Sequence, residues 1–144
     1  MDETLRGRRI LLAEDNPVNR ELVKYFLEKA EAEVITAENG ERAVAHFESS
    51  ETGSIDAIVM DVHMPVMDGL TATKMIRAME RADAKTIPII AMTGGDMEED
   101  RMATMEAGMN CHLVKPASER KLVRMILRLS EDGENSKKFG AESL

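Results

Sequence analysis

A single cysteine, Cys111, rules out an intrachain disulfide and suits a chain kept in a reducing cytoplasm. Its thiol reads as a buried core group. There is no Trp, one Tyr and three Phe against twelve Met, so the core must rest on aliphatic and thioether side chains. Methionines at helical spacing read as core filler and not as ligands. No apolar run approaches the roughly 20 residues of a membrane span, and the opening MDETLRGRR lacks the apolar centre of a secretory signal. Positive charge is scarce too. A formal net charge of -8 disfavours nonspecific contact with nucleic acid or an anionic membrane, and it favours metal cations. The chain has no G-x-x-x-x-G-K-[ST] loop and no Cys or Ser beside a His at a strand end. Nucleotide-loop binding and thiol chemistry therefore lose support.

What is present is a globular composition, 43% hydrophobic and 32% charged over 144 residues, the size of one domain. Residues 1–7 read as a flexible polar lead, 8–130 as the domain, and 131–144 as a flexible tail with too little apolar surface to pack. Within the domain, short apolar runs alternate with helical patterns. Ile10 to Ala13, Glu33 to Ala37, Ala57 to Val62, Ile87 to Met92 and Cys111 to Val114 read as strands. Asn16 and Pro17 open a first helix to about Ala30 with Val18, Leu22, Tyr25 and Phe26 inward. Asn39-Gly40 precedes a second helix faced by Ala43, Val44 and Phe47. Leu70 to about Ala82 forms a third, with Ala72, Met75, Ile76 and Met79 inward. Asp96 caps a fourth, packing Met102, Met105 and Met109, and Ser118 caps a fifth whose stripe is Leu122, Val123, Ile126 and Leu127, ending at Ser130.

Five strands alternating with five helices predict a parallel α/β sheet covered on both faces. Ligands of such sheets sit outside the carboxyl ends of the strands. There the polar residues gather: Glu14 and Asp15 after the first strand, Asp61 at the end of the third, Thr93 after the fourth and Lys115 after the fifth. Pro65 and Asp68-Gly69 break the chain soon after Asp61. Three clustered carboxylates raise one another's pKa unless a cation joins them. Magnesium suits carboxylate and water oxygens and shares its shell with phosphate, while a hydroxyl and an ammonium suit the other oxygens of a phosphoryl group.

These residues, together with D-x-x-M-P-x-M-D-G from Asp61 to Gly69 and Lys115-Pro116, resemble the receiver domain of the two-component response-regulator family over roughly Arg8 to Ser130. AEDNPVNRELV and GMNCHLVKP are further similar to receivers attached to hybrid histidine kinases. The resemblance implies a flavodoxin-like (βα)5 fold with strand order 2-1-3-4-5. It implies that Asp61 accepts a phosphoryl group from phosphohistidine on a histidine kinase or phosphotransfer domain. It further implies that Mg2+ is held by Asp15, Asp61 and the backbone carbonyl of His63, with Glu14 acting mainly through water. Lys115 and Thr93 would bind phosphoryl oxygens, and Lys115-Pro116 would be cis. A cytoplasmic monomer or weak homodimer is expected, touching neither nucleic acid nor membrane.

His112 stands three residues before Lys115, where the family often has a switching Tyr or Phe, so aromatic rotation coupled to Thr93 does not carry over directly. Gly94 leaves room for the phosphoryl group and Gly95 an open approach. His46 reads as surface decoration, and the ring of His63 as a loop side chain. Phosphorylation is expected to draw Thr93 toward Asp61 and alter the face made by helix four, strand five and helix five. Two alternatives compete. A receiver-like interaction domain need not turn over phosphate, and a haloacid-dehalogenase-type phosphatase also uses an Asp nucleophile, but it wants a second Asp where His63 stands.

Overall fold

A computed structural model describes residues 4–94 and 98–139. The strands are β1 (Arg9–Ala13), β2 (Glu33–Ala37), β3 (Ala57–Asp61), β4 (Ile89–Thr93) and β5 (Cys111–Val114). They pair in parallel in the order β2-β1-β3-β4-β5, the order implied by the family resemblance. The helices are α1 (Pro17–Lys29), α2 (Gly40–Ser49), α3 (Gly69–Arg77), α4 (Glu98–Ala107) and α5 (Glu119–Phe139). No described helix is long and apolar enough to cross a membrane.

Side chains alternate across a strand, and here each face finds its own helices. Leu11, Ile58, Met60 and Ile89 pack with Val44 and Phe47 of α2 and with Ala72 and Ile76 of α3. On the opposite face Ile10, Leu12, Val59, Ile90 and Leu113 meet Val23 and Leu27 of α1 and Leu122, Val123 and Ile126 of α5. The central strand β3 is buried along its whole length, so its last residue, Asp61, is delivered to the sheet edge by a rigid support.

Several expectations from the sequence need correcting. Val18, Leu22 and Tyr25 do not face the core but are 75%, 45% and 59% exposed, while Val23, Leu27 and Ala30 are buried. At about 100° per residue the two sets lie about 140° apart on the helix, so α1 carries two apolar stripes and only one meets the sheet. Met102 and Met105 of α4 likewise face outward, at 67% and 69% exposure, and the small Thr104 and Ala107 are buried in their place. On α3 Met75 is exposed and Thr73 is buried. That helix stops at Arg77, and a separate 3-10 turn covers Ala82–Ala84. Finally, α5 continues beyond Ser130 to Phe139, because a charged segment without proline sustains helix hydrogen bonds even where its apolar stripe has ended. Leu5, within the polar lead, is fully buried and donates its N–H to Ala30 O at 2.6 Å. The predicted caps at Asn16 and Ser118 are formed, and Asn39 also caps α2, whereas the cap read at Asp96 and the open approach read at Gly95 lie outside the described residues.

The early end of α3 frees Arg81 to tie the loops together. Its Nη1 donates to Phe47 O at 2.8 Å, its Nε and Nη2 grip Asp83 at 2.7 and 3.0 Å, and its guanidinium carbon lies 4.3 Å from the Phe47 ring centroid. Asp83 Oδ2 also accepts the Gly53 N–H. Burial pushes the Asp83 carboxyl upward, but hydrogen bonds from Arg81 and Gly53 overcome it and hold the pKa below the ordinary value. A depressed carboxylate stabilises the fold above its unfolded pKa, and that contribution disappears as pH falls through the folded one. Arg81→Ala is therefore expected to cost about 2 kcal/mol at neutral pH from lost hydrogen bonds and cation–π contact. In urea melts, the Asp83→Asn deficit should shrink as the pH drops below the ordinary aspartate range.

Candidate functional site

At the carboxyl end of the sheet, the adjacency of β1, β3 and β4 brings Glu14, Asp61 and Thr93 together, and Lys115 reaches in from the end of β5. Glu14, Asp15 and Asp61 offer carboxylate oxygens that all lie within 4.8 Å of one another. Such hard oxygen donors fit a small divalent cation that keeps part of its water shell. Lys115 Nζ donates to Asp61 Oδ2 at 2.9 Å and forms an ion pair with Glu14 Oε1, also at 2.9 Å. The second Glu14 oxygen accepts the Asn16 N–H at 3.0 Å. Asp61 Oδ1 accepts the His63 N–H at 3.3 Å.

Glu14 and Asp61 are almost completely buried. Burial is the largest influence on Glu14 and pushes its carboxyl up; Lys115 and the Asn16 N–H pull it back, while the charge of Asp61 adds to the rise. Burial also opposes the charge on Lys115, but its hydrogen bonds to Glu14 and Asp61 outweigh burial and hold the ammonium above its ordinary pKa. The ammonium thus stays charged beside the two acids. Thr93 is fully buried at the end of β4, and its carbonyl accepts the Lys115 N–H at 2.7 Å. The Lys115–Pro116 peptide is cis, as the resemblance implied.

The loop after β3 is shaped by its glycine. Gly69 donates its N–H to Val62 O at 2.8 Å, and a Cβ there would lie 2.1 Å from the carbonyl oxygen of Asp61. Only a residue without a side chain lets α3 start this close to the aspartate. Asp68 caps that helix by accepting the Thr71 N–H at 2.7 Å. His63 is exposed in the same loop. His112 is half-buried on β5 opposite Ala91, and His46 is half-buried on α2.

The family model for the response regulator receiver domain matches residues 10–127. The chain belongs to this family. The receiver domain is 39% identical over 124 residues to the sensor protein GacS of Pseudomonas syringae, covering 85% of this chain and 13% of that protein. It is 37% identical to the CAI-1 autoinducer sensor kinase/phosphatase CqsS of Vibrio cholerae, covering 88% of this chain and 18% of that one. The chain thus spans less than a fifth of these relatives. Among solved structures, the receiver domain of a Pseudomonas aeruginosa sensor histidine kinase, with a magnesium ion coordinated in the active site cleft, superimposes with TM-score 0.79 at 38% identity. The match covers 87% of this chain and 98% of that one. The Ssk1 receiver domain of Saccharomyces cerevisiae, crystallised with the histidine phosphotransfer protein Ypd1, gives TM-score 0.75 at 26% identity and covers 87% and 90% of the two chains.

Two features of the site were not read from the sequence. One is the tie from Arg20 to the backbone of Glu14 and Asp15, which leaves no periodic signal. The other is the outward stripe of α1, which runs beside an apolar depression of about 200 Å³ whose lining includes Leu22, Phe26, Pro116 and Ala117 as well as Glu14 and Lys115. Gly69→Ala is expected to destabilise the receiver domain by at least about 2 kcal/mol, because the new methyl group must displace backbone. Gly94→Ala, whose Cβ would meet nothing within 4 Å, should melt like the unsubstituted domain in the same urea titration.

Proposed function

We propose that this receiver domain takes a phosphoryl group from phosphohistidine onto Asp61, in a phosphorelay of the hybrid histidine kinase type. The observation that carries this reading is the convergence of Glu14, Asp15, Asp61 and Lys115 at strand ends, with the carboxylate oxygens within 4.8 Å of one another and the ammonium 2.9 Å from Glu14 and Asp61. Glu14, Asp15 and Asp61, with the backbone carbonyl of His63, would hold Mg2+. When bound, that ion supplies neutralisation of the charge gathering on the phosphoryl oxygens.

The chain's own groups then have distinct tasks. An oxygen of Asp61 forms a bond to phosphorus as the N–P bond of the donor breaks, and the electron pair of that bond leaves with the imidazole. The product is an acyl phosphate. Lys115, released from Asp61, pairs with a phosphoryl oxygen, and the Thr93 hydroxyl donates to another. Water attack on phosphorus later returns the carboxylate and inorganic phosphate. The movement of Thr93 and Lys115 reaches β5 and α4, where Met102, Met105 and Val114 stand exposed. This is the face we assign to output.

Donor docking is assigned to the other side of the cleft. Val18, Leu22 and Tyr25 form an outward apolar stripe on α1 next to the depression that reaches Glu14 and Lys115. An apolar helix face on a phosphotransfer domain would cover it while presenting histidine to Asp61. A cytoplasmic setting completes the reading, consistent with a single cysteine outside any disulfide, Cys111, whose pKa burial pushes up to about 11.

Incubation with acetyl phosphate and magnesium should add one phosphoryl mass to the intact domain and none to Asp61→Asn. Uptake that survives this substitution places the nucleophile elsewhere. Leu22→Glu should slow transfer from a phosphorylated histidine phosphotransfer domain by roughly tenfold or more, while leaving uptake from acetyl phosphate unchanged. An equal loss with both donors contradicts docking at α1.

A further inference from the structure

The two metal-side acids lie on a loop that would be free to turn if its peptide groups were unheld. They are held from one direction by a single residue. Arg20, in the first turn of α1, donates from Nη1 to Glu14 O at 2.9 Å and to Asp15 O at 3.4 Å, and its own backbone N–H donates to Asn16 O at 2.8 Å. Three successive carbonyls of the loop therefore end on one arginine. From the other side, Glu14 N–H is bound to Ala37 O at 3.0 Å, so the peptide groups on both sides of the Glu14 Cα are tethered.

We propose that Arg20 is a positioning residue for magnesium binding. It fixes the backbone of the Glu14-Asp15 loop so that both carboxylates project toward Asp61 before the metal arrives. The inference rests on the reading of Glu14 and Asp15 as metal-side ligands. It assigns a task to a residue that is neither one of those ligands nor one of the groups placed on the phosphoryl oxygens. A guanidinium bonded to carbonyls leaves the carboxylate oxygens available, whereas one bonded to the carboxylates would compete with the cation. Because Arg20 is anchored in helix geometry, the loop inherits the rigidity of α1. Such outer supports tune affinity by limiting the conformations a ligand set must give up on binding.

Charge alone predicts the opposite outcome. A cation this close to a divalent ion repels it, so removing Arg20 would tighten magnesium binding if electrostatics dominated. The two effects differ in sign, which makes the test decisive. Magnesium dissociation constants would be measured by NMR titration of the amide shifts of residues 14–16 and 61–63. The variants are Arg20→Ala, Arg20→Met, Arg20→Lys, Arg42→Ala and Asp15→Asn. Arg20→Met keeps the aliphatic stem, so a folded neutral variant is at hand if Arg20→Ala fails to fold.

The expected result is a roughly tenfold weaker affinity for Arg20→Met, the lower end for lost outer-shell support. Arg20→Lys, which retains a donor, should recover part of it. Arg42 lines the same small depression beside α2 as Arg20 without donating to the loop, and Arg42→Ala should bind as the unsubstituted domain does. Affinity in Arg20→Met equal to or tighter than that of the unsubstituted domain overturns the proposal, as does Arg20→Lys no better than Arg20→Met. Asp15→Asn separates the two levels. If it binds magnesium normally, the ligand reading fails; if it loses binding while Arg20→Met does not, only the role of Arg20 falls.

Discussion

Lys115 Nζ lies 2.9 Å from both Glu14 and Asp61, and the arrangement of the cleft depends on that bridge. Two nearly buried carboxylates would otherwise lose hydration and repel each other with no opposite charge between them. The bridge exists because β1, β3 and β5 end at one edge of a parallel sheet, and because the Lys115 N–H is fixed to the carbonyl of Thr93 at 2.7 Å. The same ammonium that bridges the two acids is the group best placed to follow a new negative charge when one arrives. In the proposed reaction, chemistry and signal share that one cation.

Around that bridge the fold separates rigid from adjustable parts. Asp61 ends a strand buried on both faces, and Gly69 lets α3 begin against its carbonyl. Glu14 and Asp15 sit on a loop whose carbonyls are gathered by Arg20. On the other side, among the described side chains of α4 only the small Thr104 and Ala107 are buried, and Met102 and Met105 lie outside, so little apolar contact from these residues resists its displacement. At its far end, Arg77 of α3 donates to Gly108 O at 3.0 Å and to Asn110 Oδ1 at 3.0 Å.

The strands and the site were legible in the sequence for a common reason. Buried parallel strands are short apolar runs, and each run here is followed at once by the polar residue it delivers, so position along the chain stands in for position at the sheet edge. Helix faces were less legible. Val18, Leu22 and Tyr25 form as good a stripe as Val23, Leu27 and Ala30, and no local rule says which of two stripes meets the sheet. The α4 methionines misled for a related reason: an exposed apolar residue carries the same periodic signal as a buried one. Leu5 was hidden by its polar neighbours, and the length of α5 by the assumption that a helix ends where its apolar stripe does. Arg20 gave no signal at all, since a guanidinium bound to backbone carbonyls has no fixed partner residue type.

Chemical trapping tests the central claim most directly. The domain would be phosphorylated by a phosphohistidine donor with magnesium, reduced with borohydride, which converts an aspartyl phosphate to homoserine, and mapped by peptide mass spectrometry. Homoserine is expected at position 61 and nowhere else, with no trapped product when magnesium is withheld. Homoserine at position 14 or 15, or label that resists borohydride altogether, would contradict that claim.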